Sequence, residues 1–218
     1  MKKKMVCVIG LGRFGRSVAI TLTHLGHEVL GIDTKEALVD QVKDIVTQAI
    51  VADAREEKVM EAIGIRNFDT AVVAIGDDIQ ASILVTLLLK EHGVARVITK
   101  AVNEVHGKVL EKVGADQVVY PEREMGEKIA HFIDSSNILN YIDLSDDYSI
   151  IEADASRKMW GHTLREIDLR TRLGVSVLAV RRSGGVFVAP DGDFIIQAND
   201  RLIVLGETSK VEKFSHSF

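Results

Sequence analysis

Cysteine is nearly absent from this chain of 218 residues: there is one, Cys7. A single thiol cannot close an intrachain disulfide, and inside an apolar run it reads as a small buried hydrophobe. That usage suits a reducing compartment, so a cytoplasmic location is expected. Long hydrophobic runs are missing too. The first apolar stretch, Met5–Ile9, stops at Gly10, far short of the roughly 20 residues a spanning helix needs, and no segment is expected to enter a membrane. Basic charge is also scarce. The formal net charge is −5, and the one basic cluster, Lys2-Lys3-Lys4, solvates the start of an expected strand. Nucleic-acid binding, which requires clustered Lys and Arg to neutralise phosphates, is not expected.

Catalytic constellations are absent as well. The seven histidines are scattered, with His24, His27 and His92 at expected helix ends, His106 and His131 within helices, and His162 and His216 near the C-terminus. There is no Gly-x-Ser-x-Gly elbow, no Walker-type Gly-Lys-Ser/Thr and no His/Cys metal spacing. An enzyme is therefore not expected.

What is present is core material: 46% hydrophobic and 27% charged residues, enough for two modest domains. Apolar runs rich in Val and Ile, without polar alternation, predict strands at Met5–Ile9, Glu28–Ile32, Ala49–Ala52, Ala71–Ile75, Arg96–Thr99 and Gln117–Tyr120. Helix-length segments alternate with them: Phe14–Leu25, Lys35–Lys43, Glu56–Ile63, Ile79–Glu91 and Glu104–Val113. Gly26, Gly64, Gly93 and Gly114 each follow a helical segment, and Asn103 can cap one. Strand, helix, strand at this spacing predicts an α/β domain with a doubly wound, Rossmann-like parallel sheet over residues 1–134.

After Pro121 the pattern changes. A further helix is predicted at Glu122–Ile133, then a break at Asp134-Ser135-Ser136-Asn137 and a mixed segment, Ile138–Ser145. Strands at Tyr148–Ala153, Val175–Arg181, Val186–Val188 and Arg201–Leu205, with turns at Ser183-Gly184-Gly185 and Asp191-Gly192-Asp193, predict a small α+β domain over 135–218. Short helices are expected near Thr163–Asp168 and Ser209–Phe214.

The segment Gly10-x-Gly12-x-x-Gly15 follows the first strand and opens the first helix, the context of a dinucleotide-binding turn. Gly10 would allow the tight turn, Gly12 the approach of phosphate, and Gly15 the packing of helix on strand, with phosphate at the positive helix end. Asp33 ends the second strand, where a carboxylate accepts hydrogen bonds from ribose hydroxyls and repels a 2′-phosphate. The same residue could instead cap a turn. Arg13 is either a solvated charge or a further contact to a terminal phosphate, which would favour ATP or ADP over NAD. Asp53, Ile75 and Gly76 stand at strand carboxyl ends, where open sheets bind ligands. Lys100 either reaches that crevice or is an ordinary surface charge.

Gly10-Leu11-Gly12-Arg13-Phe14-Gly15, Gly64-Ile65-Arg66-Asn67-Phe68-Asp69, Ala74-Ile75-Gly76 with Ile79-Gln80-Ala81-Ser82, Val113-Gly114-Ala115-Asp116 and Tyr120-Pro121-Glu122-Arg123 occur in this order. Together they closely resemble the RCK (regulator of potassium conductance) gating subunits of bacterial Ktr/Trk-type potassium transporters, over nearly the whole chain. The resemblance implies a cytosolic ATP- or ADP-binding regulator, a homodimer within an octameric ring, peripheral on the inner face of the membrane through an integral-membrane potassium transporter subunit. It implies nucleotide contacts at Gly10, Gly12, Arg13, Phe14, Gly15, Ile75, Gly76 and Lys100, ribose at Asp33 and adenine near Asp53 and Ala54. Glu122, otherwise a helix-start acid complementing the macrodipole, is implied to hold a divalent cation, Mg²⁺ or Ca²⁺, near the γ-phosphates. A second ligand, cyclic di-AMP, is implied at Leu164, Arg170 and Pro190, with Arg165 standing where close relatives have an apolar residue. The competing reading is an NAD(H)-binding protein acting as an oxidoreductase or redox sensor.

Overall fold

The computed structural model describes residues 2–134, 138–145 and 147–217, with the side chains of 138, 216 and 217 left aside. Of the expected break, Ser135, Ser136 and Asn137 lie outside the described residues. The chain divides into two compact units, Met1–Arg123 and Glu124–Phe218.

In the first unit, β1 (Met5–Ile9), α1 (Arg13–His24), β2 (Glu28–Asp33), α2 (Glu36–Val39), β3 (Gln48–Val51) and α3 (Glu57–Ala62) are followed by β4 (Thr70–Val73), α4 (Ile79–Glu91), β5 (Val97–Lys100), α5 (Glu104–Val113) and β6 (Gln117–Val119). All six strands run parallel in the order β3-β2-β1-β4-β5-β6. This is the doubly wound arrangement predicted from the alternation.

The continuous apolar strands are explained by two cores, one on each face. Successive strand side chains point to opposite faces. Val6 and Val8 of β1 pack with Val29 and Val72 beneath Val18 and Leu22 of α1. Cys7 and Ile9 pack with Ile32 and Val73 against Met60 of α3 and Val85 and Leu89 of α4. Cys7 is fully buried, and burial pushes its thiol pKa up.

One expected helix is shortened. Lys35–Lys43 was predicted, but α2 stops at Val39 and the chain continues through irregular turns. The apolar spacing is still honoured, since Val39, Val42 and Val46 are all buried. Backbone bonds such as Val42 N–H to Val39 C=O and Ile45 N–H to Val42 C=O carry this stretch, so periodicity marked the buried face rather than the helix length.

The second unit contains most of α6 (Pro121–Asp134), then β7 (Ile138–Asp143), β8 (Tyr148–Asp154), α7 (Leu164–Ile167), α8 (Leu169–Leu173), β9 (Val175–Arg182), β10 (Gly185–Val188), β11 (Arg201–Glu207) and α9 (Thr208–Ser217). An antiparallel sheet orders these strands β10-β9-β11-β8-β7. The division falls ahead of the 134/135 boundary expected from the sequence because α6 packs forward: Phe132 lies against the second core, and the His131 ring stacks on Tyr141 at 4.0 Å. The mixed segment after the break is the edge strand β7, with Tyr141 buried and Ile142 exposed. The helix α8 was not anticipated. It begins after Asp168, a non-glycine residue with φ of 46°, whose carboxylate accepts from Thr171 N–H.

A forked ion pair ties β9 to the loop before β11. Arg182 Nε and Nη2 each donate to Asp200 at 2.7 Å, Gln197 N–H donates to the same carboxylate, and Asp200 is 0% exposed. Burial alone would raise the Asp200 pKa, but the Arg182 and Gln197 hydrogen bonds hold it below the ordinary carboxylate range. Its stabilising contribution is therefore complete above the unfolded-state pKa and is lost as pH falls through the folded value. Asp200→Ala, which strands Arg182 and the Gln197 amide, should cost the second unit about 3 kcal/mol in urea unfolding at neutral pH. The deficit relative to wild type should shrink on acidification; one that stayed constant into acid would refute the assignment.

Candidate functional site

The site grows from a contact that leaves no room for a side chain. A Cβ on Gly15 would overlap the Gly10 carbonyl oxygen and lie 2.9 Å from the Ala74 Cβ. The first turn of α1 is thereby set directly on the end of β1. Gly10 itself has φ of 91°, a left-handed conformation that glycine adopts without strain, and its N–H donates to Ile32 C=O. Gly15 thus shapes the site from beneath, as expected of the third glycine.

Gly12 caps α1 without a side-chain hydrogen bond, and the first turn carries no acid. No side chain of the first turn therefore offsets the positive end of the helix dipole. Arg13 adds an exposed guanidinium there and has no ion-pair partner among the described residues.

This helix end opens on a cavity of about 610 Å³ at the carboxyl ends of the strands, a volume suited to a nucleotide-sized ligand. Its lining includes Gly10, Gly12, Arg13 and Phe14 after β1, Asp33 at the end of β2, Asp53 and Ala54 after β3, Ile75 and Gly76 after β4, Lys100 at the end of β5, and Glu122. Strand-end position alone assigns Asp53, Ile75 and Gly76 to this crevice and leaves Lys100 open, and the resemblance implies Ala54 and Glu122; the fold brings them together. Gly15, buried under the turn, does not line the cavity.

Asp33 serves the loop as well as the cavity. Its Oδ2 accepts from Leu11 N–H at 2.7 Å and its Oδ1 from Lys35 N–H at 2.9 Å. The turn-capping role is realised, each oxygen keeps further acceptor capacity, and the residue lines the cavity.

Lys100 is not an ordinary surface charge. Its side chain is only 13% exposed, and its Nζ lies 2.6 Å from Glu122 Oε1. A Cβ on Gly76 would come within 3.1 Å of that Nζ, so glycine at 76 leaves room for the ammonium. The Lys100 hydrogen bond is the main reason the Glu122 pKa is lowered. Among the described residues no group of three or more His, Cys, Asp or Glu side chains could hold a metal ion. Glu122 within one chain has a lysine, not a cation cage, beside it.

Arg55 escaped the sequence reading. It follows Asp53-Ala54 directly and forks onto Asp53, with Nε to Oδ1 at 2.9 Å and Nη2 to Oδ2 at 2.6 Å. These bonds lower the Asp53 pKa. A cation next to an acid at a strand's carboxyl end was the available signal.

In the second unit, Leu164 N–H donates to Phe194 C=O and Arg165 N–H to Gly192 C=O, which joins α7 to the loop after Pro190. Arg165 also pairs with Asp193 at 3.1 Å. Arg170 is exposed on α8 and, among the described residues, has no side-chain hydrogen bond or ion pair to either segment.

Comparison with known proteins agrees with this division. The TrkA-N domain model matches residues 6–121 and the TrkA-C domain model residues 148–218. Two proteins of Bacillus subtilis (strain 168) are each 43% identical to the chain. Ktr system potassium uptake protein C aligns over 97% of this chain and 96% of its own. Ktr system potassium uptake protein A aligns over 99% and 97%. The crystal structure of the GsuK RCK domain superposes with a TM-score of 0.68 at 16% identity, covering 99% of this chain and 47% of that one, a likeness of fold.

If Lys100 is what depresses the Glu122 carboxyl, Lys100→Met should move its pKa upward toward the ordinary glutamate range, as followed by ¹³C NMR titration of the side-chain carboxyl. An unmoved titration would assign the depression to the helix start instead.

Proposed function

This chain belongs to the TrkA-N/TrkA-C family that includes the Ktr system potassium uptake proteins, and from that premise we propose that it is the cytoplasmic nucleotide-binding gating subunit of a potassium uptake system, peripheral on the inner face of the cell membrane. The observation that carries the reading is the uncapped start of α1, bearing Arg13 without a carboxylate partner, at the edge of a nucleotide-sized cavity. Such an end binds anions through backbone amides and the helix dipole. No helix among the described residues is long and apolar enough to cross a membrane; the partner proposed from the Ktr relatives is a separate integral-membrane potassium transporter subunit, on which a homo-oligomer, an octameric ring of dimers, would act.

The ligand we propose is ATP or ADP. Arg13, the α1 amides and Lys100 receive the phosphates, the free lone pairs of Asp33 receive the ribose hydroxyls, and the base lies toward Asp53 and Ala54. Glu122 gains a divalent cation, Mg²⁺ or Ca²⁺, only when phosphate oxygens and a second protomer's carboxylate complete its coordination. Gating is a population shift: only the difference between the affinities of two assembly states for one nucleotide can move the gate. In the C-terminal unit, cyclic di-AMP is the proposed second ligand, received by Leu164, Arg170 and Pro190 across a dimer axis. The oxidoreductase reading is the less favoured, since the two Bacillus subtilis relatives are named as potassium uptake proteins.

Calorimetry against ATP, ADP, NADH and cyclic di-AMP tests the whole reading. Asp33→Ala should weaken ATP, ADP and NADH alike, since all three present the same adenosine, and should leave cyclic di-AMP untouched at one ligand per dimer. Selective loss of one nucleotide would displace Asp33 from the ribose. Arg13→Ala should weaken ATP by about ten- to a hundredfold, the value of a charge-assisted hydrogen bond of about 1.5–3 kcal/mol, and ADP by clearly less. Equal losses would place Arg13 on the inner phosphates and remove it as the sensor.

A further inference from the structure

Arg55 crosses the crevice. Strands β3 and β4 are not neighbours, because β2 and β1 lie between them. The loops that follow them leave the sheet three spacings apart, roughly 14 Å at about 4.8 Å per spacing. Arg55 belongs to the first loop, yet its Nη1 comes within 3.8 Å of Asp78 Oδ2, on the residue that caps α4 after β4. Its guanidinium plane is fixed at the other end by the fork onto Asp53. Arg55 therefore bridges the two walls of the cavity it lines.

The surroundings decide what such a cation can serve. Asp53 already neutralises Arg55, and Asp78 sets a second carboxylate 3.8 Å from the same guanidinium, so little of its charge is free for a phosphate. Arg13, by contrast, has no ion-pair partner among the described residues, and Lys100 pairs with a single carboxylate, Glu122. The residues flanking its partner Asp53, Ala52 and Ala54, are apolar and line the cavity. An uncharged planar group fits there, and a guanidinium immobilised in its plane is suited to lie against one, because its delocalised face stacks on aromatic rings.

Building on the nucleotide reading above, we propose that Arg55, held flat by Asp53 and braced toward Asp78, closes the nucleoside end of the site by stacking on the purine base. It reads the base, not the number of phosphates. Arg55 thus sets affinity for adenine nucleotides as a class, leaving discrimination of ATP from ADP to Arg13.

The test is calorimetry of the full chain with ATP, ADP and inorganic tripolyphosphate, using wild type, Arg55→Ala and Arg55→Lys. Arg55 is half exposed on a loop, so both variants should keep the wild-type melting temperature. Arg55→Ala should weaken ATP and ADP by the same factor, about tenfold, with their ratio unchanged and tripolyphosphate unaffected. Arg55→Lys keeps the charge but not the planar face and should restore less than half of the loss in log affinity. Full rescue by lysine, or a loss for tripolyphosphate equal to that for ATP, would make Arg55 a phosphate ligand and overturn the proposal. Unchanged ATP and ADP affinities in Arg55→Ala would do the same. Wild type that binds neither nucleotide would remove the nucleotide reading itself, and this proposal with it.

Discussion

The absence of a side chain at Gly15 is the constraint on which the rest of the first unit depends. Because nothing stands between the α1 backbone and the Gly10 carbonyl, the helix begins against the end of β1, with its free amides at the mouth of the crevice. The same close approach sets the Leu11 amide within 2.7 Å of Asp33, so the acidic end of β2 is bound to the glycine turn and cannot drift from it. Helix start, turn and carboxylate form one rigid group, and the remaining walls of the cavity are arranged around it. A methyl group at that single position would meet the Gly10 carbonyl oxygen and the Ala74 Cβ and so separate the members of this group.

Charge within the cavity is segregated and internally balanced. Arg13 faces the cavity without a carboxylate of its own, whereas Lys100 is neutralised by Glu122 and Arg55 by Asp53. The exposed charges in these pairs add little to stability. Their consequence lies in availability: an incoming polyanion meets Arg13 and the helix amides first, and must share Lys100 with Glu122. Lys100 and Glu122 thus form one unit at the cavity wall, and the ammonium's side chain is almost enclosed by the fold.

The second unit is held differently. Its antiparallel sheet has a single core beneath Tyr141, Ile151, Val180 and Leu202, and the enclosed Asp200 anchors Arg182 and the Gln197 amide in one network. Main-chain bonds from Leu164 and Arg165 to the 192–194 loop hold two of its separated segments together. The stack of His131 on Tyr141 makes the end of α6 part of this unit, so the helix that begins beside Glu122 finishes in the second core.

Much of this was legible from residues alone, because local chemistry dictated it. Val- and Ile-rich runs without alternation demanded a sheet covered on both faces, and three glycines between a strand and a helix demanded a tight turn with an exposed helix start. Asp33, Asp53, Ile75 and Gly76 could be assigned to one crevice since each ends or follows a strand of a parallel sheet, and such ends converge. The length of α2 was not legible, because the burial of Val42 and Val46 satisfies the same periodicity without a continued helix. Nor was the strand Ile138–Asp143, an edge whose pairing with β8 supplies what its composition lacks. Tertiary structure alone decided the partners. That Lys100 meets Glu122 across 22 residues, and that Arg55 reaches Asp78 over two intervening strands, follow from the order of strands in the sheet. Strand order is set by how the whole chain packs, and no window of sequence contains it.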